Sequence, residues 1–176
     1  VLGEVDCELE GSFTGSYNEI AKDGSLVVNK HGSYIFRGIK KKEKLDGVVC
    51  SSAGNHAQGV AQSCNQLQIN GVIYMPMITP KQKVAQVKMF GGPFIEVRLH
   101  GDTYDDSYEA ALDYCIQSKK HFIHPFDDKA VIEGQATLAL EIIKQTKKEI
   151  DYIFVPIGGG GLVSGVLSVF KQLSPH

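Results

Sequence analysis

A row of four glycines, Gly158, Gly159, Gly160 and Gly161, follows the apolar run "DYIFVPI" and precedes the helical pattern "LVSGVLSVFKQL". At such a strand-to-helix junction the first N–H groups of the helix lack internal partners and the helix dipole is positive, so an anion fits there. Glycines also let the backbone take positive φ angles and approach a phosphate closely. Neither G-x-G-x-x-G nor a following Lys-Ser/Thr is present, which excludes the dinucleotide fingerprint and the nucleotide P-loop. A tight turn is the alternative, but four glycines exceed what a turn requires, which favours phosphate binding.

A second polar loop, "SSAGNHAQG", has the same placement between a short β-branched run and a helical pattern. Its polar side chains belong to Ser51, Ser52, Asn55, His56 and Gln58. Ligands of open α/β sheets collect at the carboxyl ends of the strands. Serine and asparagine can donate to a carboxylate together with free amides, and Asn55 can also bond a ring hydroxyl. Helix capping, or a solvated histidine, explains each residue alone; the cluster as a whole favours a binding site.

The elements that must position these loops alternate along the chain. "GVVCS", "GVIYMP", "PFIEVRLH" and "HFIHPFDD" predict strands, the last ended by Pro125. The segments between and after them predict helices: "HAQGVAQSCNQLQ", "TPKQKVAQVKMFG", "DTYDDSYEAALDYCIQSKK" and "AVIEGQATLALEIIKQT". Thr79 is the expected N-cap of the second helix, with Pro80 first and Gly91 at its end, and Asp102 or Thr103 is expected to start the third.

The run "DYIFVPI" reads as a buried strand that ends at the glycines. Strands alternating with helices of this length indicate a parallel sheet with helices on both faces. The sequence therefore predicts an α/β protein whose two polar loops lie at the carboxyl ends of strands.

Composition narrows the function classes. Apolar residues make up 43% and charged residues 22% of the 176 residues, as in globular proteins. The 18 basic and 20 acidic residues leave a net charge of −2, which disfavours nucleic-acid binding. No run approaches the roughly 18 apolar residues of a membrane span. Cysteine spacing favours neither zinc nor disulfides, so a reducing compartment is expected. Surface or loop positions are expected for His31, His100, His121, His124 and His176.

The two loops, with "MPMITPKQKVAQVKMFG", "GDTYDD" and "EGQATLALEI" between them, resemble the fold type II pyridoxal-phosphate enzymes, and among these the threonine dehydratase (threonine ammonia-lyase) family. The similarity runs from about Ser33 to Leu173. It implies the tryptophan synthase β-like architecture in a truncated form. Residues 47–126 would be a smaller lobe carrying the asparagine loop, and residues 1–46 with 127–176 an incomplete larger lobe.

The resemblance also implies site residues. The four glycines, with Leu162, would hold the phosphate of pyridoxal 5′-phosphate, and Asn55 would bond the 3′-oxygen of its ring. The substrate carboxylate would be held by the neighbours of Asn55, which are Ser52, Ala53, Gly54, His56 and Gln58. Racemases of the family carry serine where this chain has Ala53, so no racemase activity is expected, because a methyl group cannot relay a proton.

The implied reaction is the deamination of L-threonine to 2-oxobutanoate and ammonia, or of L-serine to pyruvate, the first step of isoleucine biosynthesis. The resemblance implies that the ligand is a small amino acid and that neither nucleic acid nor a membrane is a partner. It leaves open whether the protein forms a homo-oligomer. A cytoplasmic location is expected, or an organelle matrix if a targeting segment has been removed.

The family places its Schiff-base lysine in an S-[FY]-K-x-R-G-A segment upstream of the asparagine loop. Here the segment "SYIFRGI" places Ile35 at the lysine position, and isoleucine can neither bond the cofactor aldehyde nor take a proton. Lys30 and Lys40 lie five residues away on either side and are poor substitutes. Three explanations are open: a fragment or altered form of an ammonia-lyase, a relative that binds phosphate or carboxylate without catalysis, and an imperfect sequence.

Overall fold

The structure is a computed structural model that describes residues 18–20, 26–28, 47–146 and 149–173. Its main sheet has four parallel strands in the order β5-β4-β3-β6. These strands are β3 (Val48–Ser51), β4 (Gly71–Met75), β5 (Ile95–Leu99) and β6 (His121–Phe122). Two short antiparallel strands precede them, β1 (Asn18–Ile20) and β2 (Leu26–Val28). The predicted parallel sheet is therefore confirmed.

Helices cover both faces of this sheet. The helices of the described chain are α1 (Asn55–Leu67), α2 (Lys81–Gly91), α3 (Tyr104–Ser118), α4 (Lys129–Gln145) and α5 (Gly161–Leu173). Val48 and Cys50 of β3 pack in one core with α1 and α2, whereas Val49 packs in a second core with Ala111 of α3. Since successive strand residues point to opposite faces, these two cores lie on opposite sides of the sheet. This arrangement confirms the α/β class with helices on both faces.

The N-cap residues of α2 and α3 can be compared with those predicted from the sequence. Thr103 begins α3 with a capping box, in which its hydroxyl accepts from the Asp106 amide at 3.1 Å and the Asp106 carboxylate accepts from the Thr103 amide at 2.9 Å. The expectation for Thr79 was wrong, because Pro80 is the N-cap of α2 and the buried Thr79 hydroxyl has no hydrogen-bond partner among the described residues. Pro80 has a φ of −54°, which its ring fixes, and an extended ψ of 135°. Because this ψ is not helical, Pro80 precedes the first helical residue and takes the cap position.

The predicted strand before the glycines was also wrong. Residues 152–157 form neither a helix nor a strand, and their large apolar side chains are exposed, Tyr152 by 83% and Phe154 by 93%. An apolar run becomes a strand only when a neighbouring strand accepts its backbone hydrogen bonds. None of the strands in the described part of the chain pairs with this segment.

The last two helices, α4 and α5, pack against each other at Gly165. A Cβ built on Gly165 would lie 2.5 Å from the Ile132 carbonyl oxygen and 2.7 Å from the Ala136 amide nitrogen of α4. This glycine therefore allows the two helix backbones to approach closely. Within the described ranges, no helix is long and apolar enough to cross a membrane. The proposed division into two lobes stays a prediction.

Candidate functional site

The asparagine loop follows β3 directly and ends at the N-terminus of α1. Gly54 is the N-cap residue, and the first helical hydrogen bond joins the Gln58 amide to the Gly54 carbonyl at 3.3 Å. The amides of Asn55 and His56 therefore belong to the helix start, where intrahelical partners are lacking. Among the described residues no side chain caps this helix, and its first turn contains no acidic residue. The simple capping explanation for Ser52 and Asn55 is thus not what the structure shows.

The side chain of Ser52 shapes the loop. Its hydroxyl oxygen accepts a hydrogen bond from the Gly54 amide at 3.1 Å, while its own amide donates to the Tyr74 carbonyl of β4 at 3.1 Å. These two bonds fix the turn that leads from β3 into α1 and leave the hydroxyl proton of Ser52 available to a ligand. The Asn55 side chain is exposed at the same helix start. The N-terminus of α1 therefore offers amides, a hydroxyl and an amide side chain to an anion.

His56 differs from its neighbours because its side chain turns inward. It is 6% exposed, and its Nε2 donates to the Ile123 carbonyl at 3.2 Å, which places a proton on Nε2. Burial lowers the pKa of His56 to about 4; the hydrogen bond to Ile123 raises it, and the nearby His124 lowers it further. The ring is consequently neutral at neutral pH. A carboxylate bound at this loop would be held by amides and hydroxyls, without a positive charge from His56.

The lowered pKa of His56 predicts a loss of stability in mild acid. The unfolded chain, with an ordinary value of 6.5, binds the proton before the folded chain does, so stability falls as the pH drops from 6.5 toward about 4. Between about pH 7 and about pH 5 this group should lower the free energy of unfolding by roughly 2 kcal/mol. Urea unfolding at both pH values measures the change.

The control for this titration is His56→Gln, whose amide nitrogen can still donate to Ile123 but does not titrate. The variant should lose most of the pH dependence over this interval. An equal pH dependence in both proteins would contradict the assignment of the loss to His56.

The glycine loop occupies the equivalent place at the start of α5. The Ser164 amide donates to the Gly160 carbonyl at 2.9 Å, so the amides of Gly161 and Leu162 precede the first helical bond. Gly160 has a φ of +91°, as the sequence predicted for this loop, and the first turn of α5 holds no acidic residue. A Cβ on Gly158 or Gly160 would meet no atom of the described residues within 4 Å. The loop thus combines an open face with a positive helix end, which suits a phosphate.

The other two glycines are required for a different reason. A Cβ on Gly159 would lie 2.2 Å from the ring of Phe126, and one on Gly161 would lie 2.8 Å from the Phe126 carbonyl oxygen. Both are therefore glycines because Phe126 packs against the loop, a contact that the sequence reasoning missed. The only signal was the position of Phe126 in "HPFDD", between a strand and the N-cap Asp128 of α4.

The segment from Ile123 to Phe126 contacts both loops. Its first residue accepts the hydrogen bond from His56, and its last packs against the glycines. Between them, His124 lies in a loop, as the sequence predicts, and its half-buried ring is surrounded by aromatic rings. The structure thus connects the asparagine loop and the glycine loop through one short segment.

The remaining predicted residues are placed as follows. Ala53 and Gly54 are half-buried beside Ser52, Gln58 is half-buried on α1, and Leu162 is half-buried on α5. Ser51 is fully buried, and its hydroxyl has no hydrogen-bond partner within the described chain. Ile35 and its segment lie outside the described residues. Across the described ranges, no group of three or more His, Cys, Asp or Glu side chains could hold a metal ion.

Comparison with known proteins gives a consistent result. The family model described as "Pyridoxal-phosphate dependent enzyme" matches residues 24–176. The chain is 56% identical over 138 residues to L-threonine dehydratase biosynthetic IlvA of Halalkalibacterium halodurans, covering 78% of this chain and 33% of the relative. It is 51% identical over 137 residues to the protein of that name from Bacillus subtilis, covering 78% and 32%.

A solved structure agrees with these matches. The processed form of threonine deaminase isoform 2 from Solanum lycopersicum superposes with a TM-score of 0.75 at 35% identity, covering 91% of this chain and 51% of that structure. The chain spans about a third of the length of the curated relatives that it matches.

Proposed function

Because this chain belongs to the family of pyridoxal-phosphate-dependent enzymes, we propose that it is the part of a threonine dehydratase that holds two anions, each at a helix N-terminus. The cofactor phosphate lies at the start of α5, and the carboxylate of the amino-acid substrate lies at the start of α1. The proposed reaction is the deamination of L-threonine or L-serine. We also propose that the protein is located in the cytoplasm or in an organelle matrix.

The observation that carries the proposal is the open face of the glycine loop. Among the described residues, no atom lies within 4 Å of the places where side chains of Gly158 and Gly160 would begin, and the positive φ of Gly160 is a conformation that other residues rarely adopt. The amides at the start of α5 carry the positive end of the helix dipole. These features fit a phosphate group. When bound, the cofactor supplies the electron sink of the reaction, and the protein supplies binding and orientation.

The start of α1 is the proposed carboxylate site. Its free amides, the Ser52 hydroxyl and the Asn55 side chain can all donate, and Asn55 is also proposed to bond the 3′-oxygen of the ring. Ala53, Gly54 and Gln58 complete this loop. His56 is proposed to lie next to the carboxylate and also to act through its hydrogen bond to Ile123, the residue that follows β6, which holds the start of α1 in place.

The two lobes are part of the same proposal. The main sheet with α1 to α3 belongs to the smaller lobe of residues 47–126. The larger lobe, residues 1–46 with 127–176, contains the α4–α5 pair and the glycine loop. The phosphate site and the carboxylate site would then lie on different lobes and meet along the Ile123 to Phe126 segment.

The open face of the glycine loop gives a sharp test. Gly158→Val should fold normally, because the φ of Gly158 lies outside the positive range and no atom in the described part of the chain lies within 4 Å of a Cβ built there. The variant should nevertheless bind pyridoxine 5′-phosphate about tenfold more weakly, since the new side chain fills space used by the phosphate. This ligand carries an alcohol in place of the aldehyde, so it cannot bond to lysines.

Binding is measured by calorimetry or by the ligand's own fluorescence, which is convenient because the chain has no tryptophan. Pyridoxine, which lacks the phosphate, is the control ligand and should bind the parent and Gly158→Val equally. An unchanged affinity of the folded variant for pyridoxine 5′-phosphate would contradict phosphate binding at this loop.

A second candidate function is supported by Ile35. A relative that binds phosphate or carboxylate without catalysis needs no lysine, and isoleucine at this position cannot hold the cofactor covalently. Ammonia release from L-threonine by the purified chain with pyridoxal phosphate would exclude this candidate. Borohydride reduction followed by mass measurement would then identify any lysine that carries the cofactor.

A further inference from the structure

We propose that His124 is the positioning residue of the phosphate-binding loop: it fixes the turn that presses Phe126 against the glycines. The proposal rests on the function proposed above, and it assigns a role to a residue that belongs to neither predicted loop. His124 itself touches neither anion. Its effect on phosphate binding is transmitted through Phe126.

The first step is a pair of hydrogen bonds. The Nδ1 atom of His124 accepts from the Asp127 amide at 2.8 Å and from the Phe126 amide at 3.3 Å. An atom that accepts from two amides carries no proton, so the neutral ring has its proton on Nε2. These bonds close a tight turn between β6 and the N-cap of α4, and the turn determines where the Phe126 side chain begins.

The second step is the packing around the His124 ring. Phe126 lies edge-on to it at 4.9 Å between centroids and an interplanar angle of 82°, and Tyr108 lies edge-on at 6.1 Å and 80°. Phe122 contacts it at 6.5 Å and 71°. Rings at these distances and angles attract each other through their quadrupoles. The imidazole is therefore held from α3, from β6 and from Phe126 itself, which fixes the direction of Nδ1.

The third step is the contact between Phe126 and the glycines. The Phe126 ring occupies the space beside Gly159, and its backbone lies against Gly161, the first residue of α5. A shift of the turn would therefore shift the backbone whose amides are proposed to bind the phosphate.

The test compares two substitutions of His124. Asparagine places its side-chain oxygen close to the position of Nδ1 and can accept from the same two amides, whereas glutamine places its oxygen one bond farther away. His124→Gln should lower the affinity for pyridoxine 5′-phosphate about tenfold, because two amides lose their acceptor. His124→Asn should remain within about threefold of the parent chain. Pyridoxine should bind all three proteins alike.

Three outcomes separate the hypotheses. If the parent chain binds pyridoxine 5′-phosphate no better than pyridoxine, the proposed function fails. If the parent shows the preference and both His124 variants keep it, or both lose it equally, the positioning role is overturned. If His124→Gln does not fold, Phe126→Leu replaces it, and this variant must reduce the preference for the phosphorylated ligand; an unchanged preference would also overturn the proposal.

Discussion

Gly159→Ala is expected to lower the affinity for pyridoxine 5′-phosphate by at least about tenfold. The added methyl group would lie 2.2 Å from two atoms of the Phe126 ring, including Cγ, which is not the flexible end of the side chain. Either Phe126 leaves its position or the loop moves away from it, and in both cases the backbone that is proposed to hold the phosphate is displaced. Calorimetric titration of the variant and the parent measures the change.

A double-mutant cycle identifies Phe126 as the cause. In a Phe126→Ala background the methyl group of Gly159→Ala has room, so the same substitution should cost less than about threefold in affinity. Equal costs in both backgrounds would mean that Gly159 is needed for its own contact with the ligand. This cycle differs from the Gly158→Val test, because a side chain at Gly158 would contact none of the described residues and would report on the ligand alone.

The glycine row shows how far the sequence was informative. Four glycines before a helical pattern predicted an anion site, and the loop lies at the start of α5 with the expected positive φ at Gly160. The sequence pattern does not distinguish the four glycines from one another. In the structure, Gly158 and Gly160 face away from the other described residues, whereas Gly159 and Gly161 face Phe126. This division depends on a residue more than thirty positions away, and no local pattern contains it.

The difference between a local sequence pattern and a contact with a distant residue also explains which strands could be predicted. β3, β4 and β5 were predictable because each is a short apolar or alternating run between turn residues, and each pairs in parallel with a neighbouring strand. The run "DYIFVPI" is equally apolar but has no pairing strand in the described chain, and its Tyr152, Phe154 and Ile157 side chains are exposed. His124 was missed for a related reason, since its two amide donors and three aromatic neighbours are revealed only by the folded chain.

The second large effect is expected at Gly165, where α5 approaches α4. The atoms nearest to an added Cβ are the Ile132 carbonyl oxygen at 2.5 Å, the Ala136 amide nitrogen at 2.7 Å and the Gln135 carbonyl carbon at 3.0 Å. All three belong to a helix backbone, which cannot move aside as a side chain can. Glycine inside a helix normally costs about 1 kcal/mol relative to alanine; here the close approach should reverse that preference.

Gly165→Val is therefore expected to lower the free energy of unfolding by about 3 kcal/mol, because the two helices must separate to admit the side chain. Urea unfolding followed by far-ultraviolet circular dichroism measures the loss. The control is Ser164→Val, an exposed position on the same helix, which has the same β-branched penalty without the contact. Equal losses in both variants would show that helix propensity, and not the approach of α4, determines the effect. A loss confined to Gly165→Val would show that the close approach of the α4 backbone, and not the β-branched side chain, determines the effect.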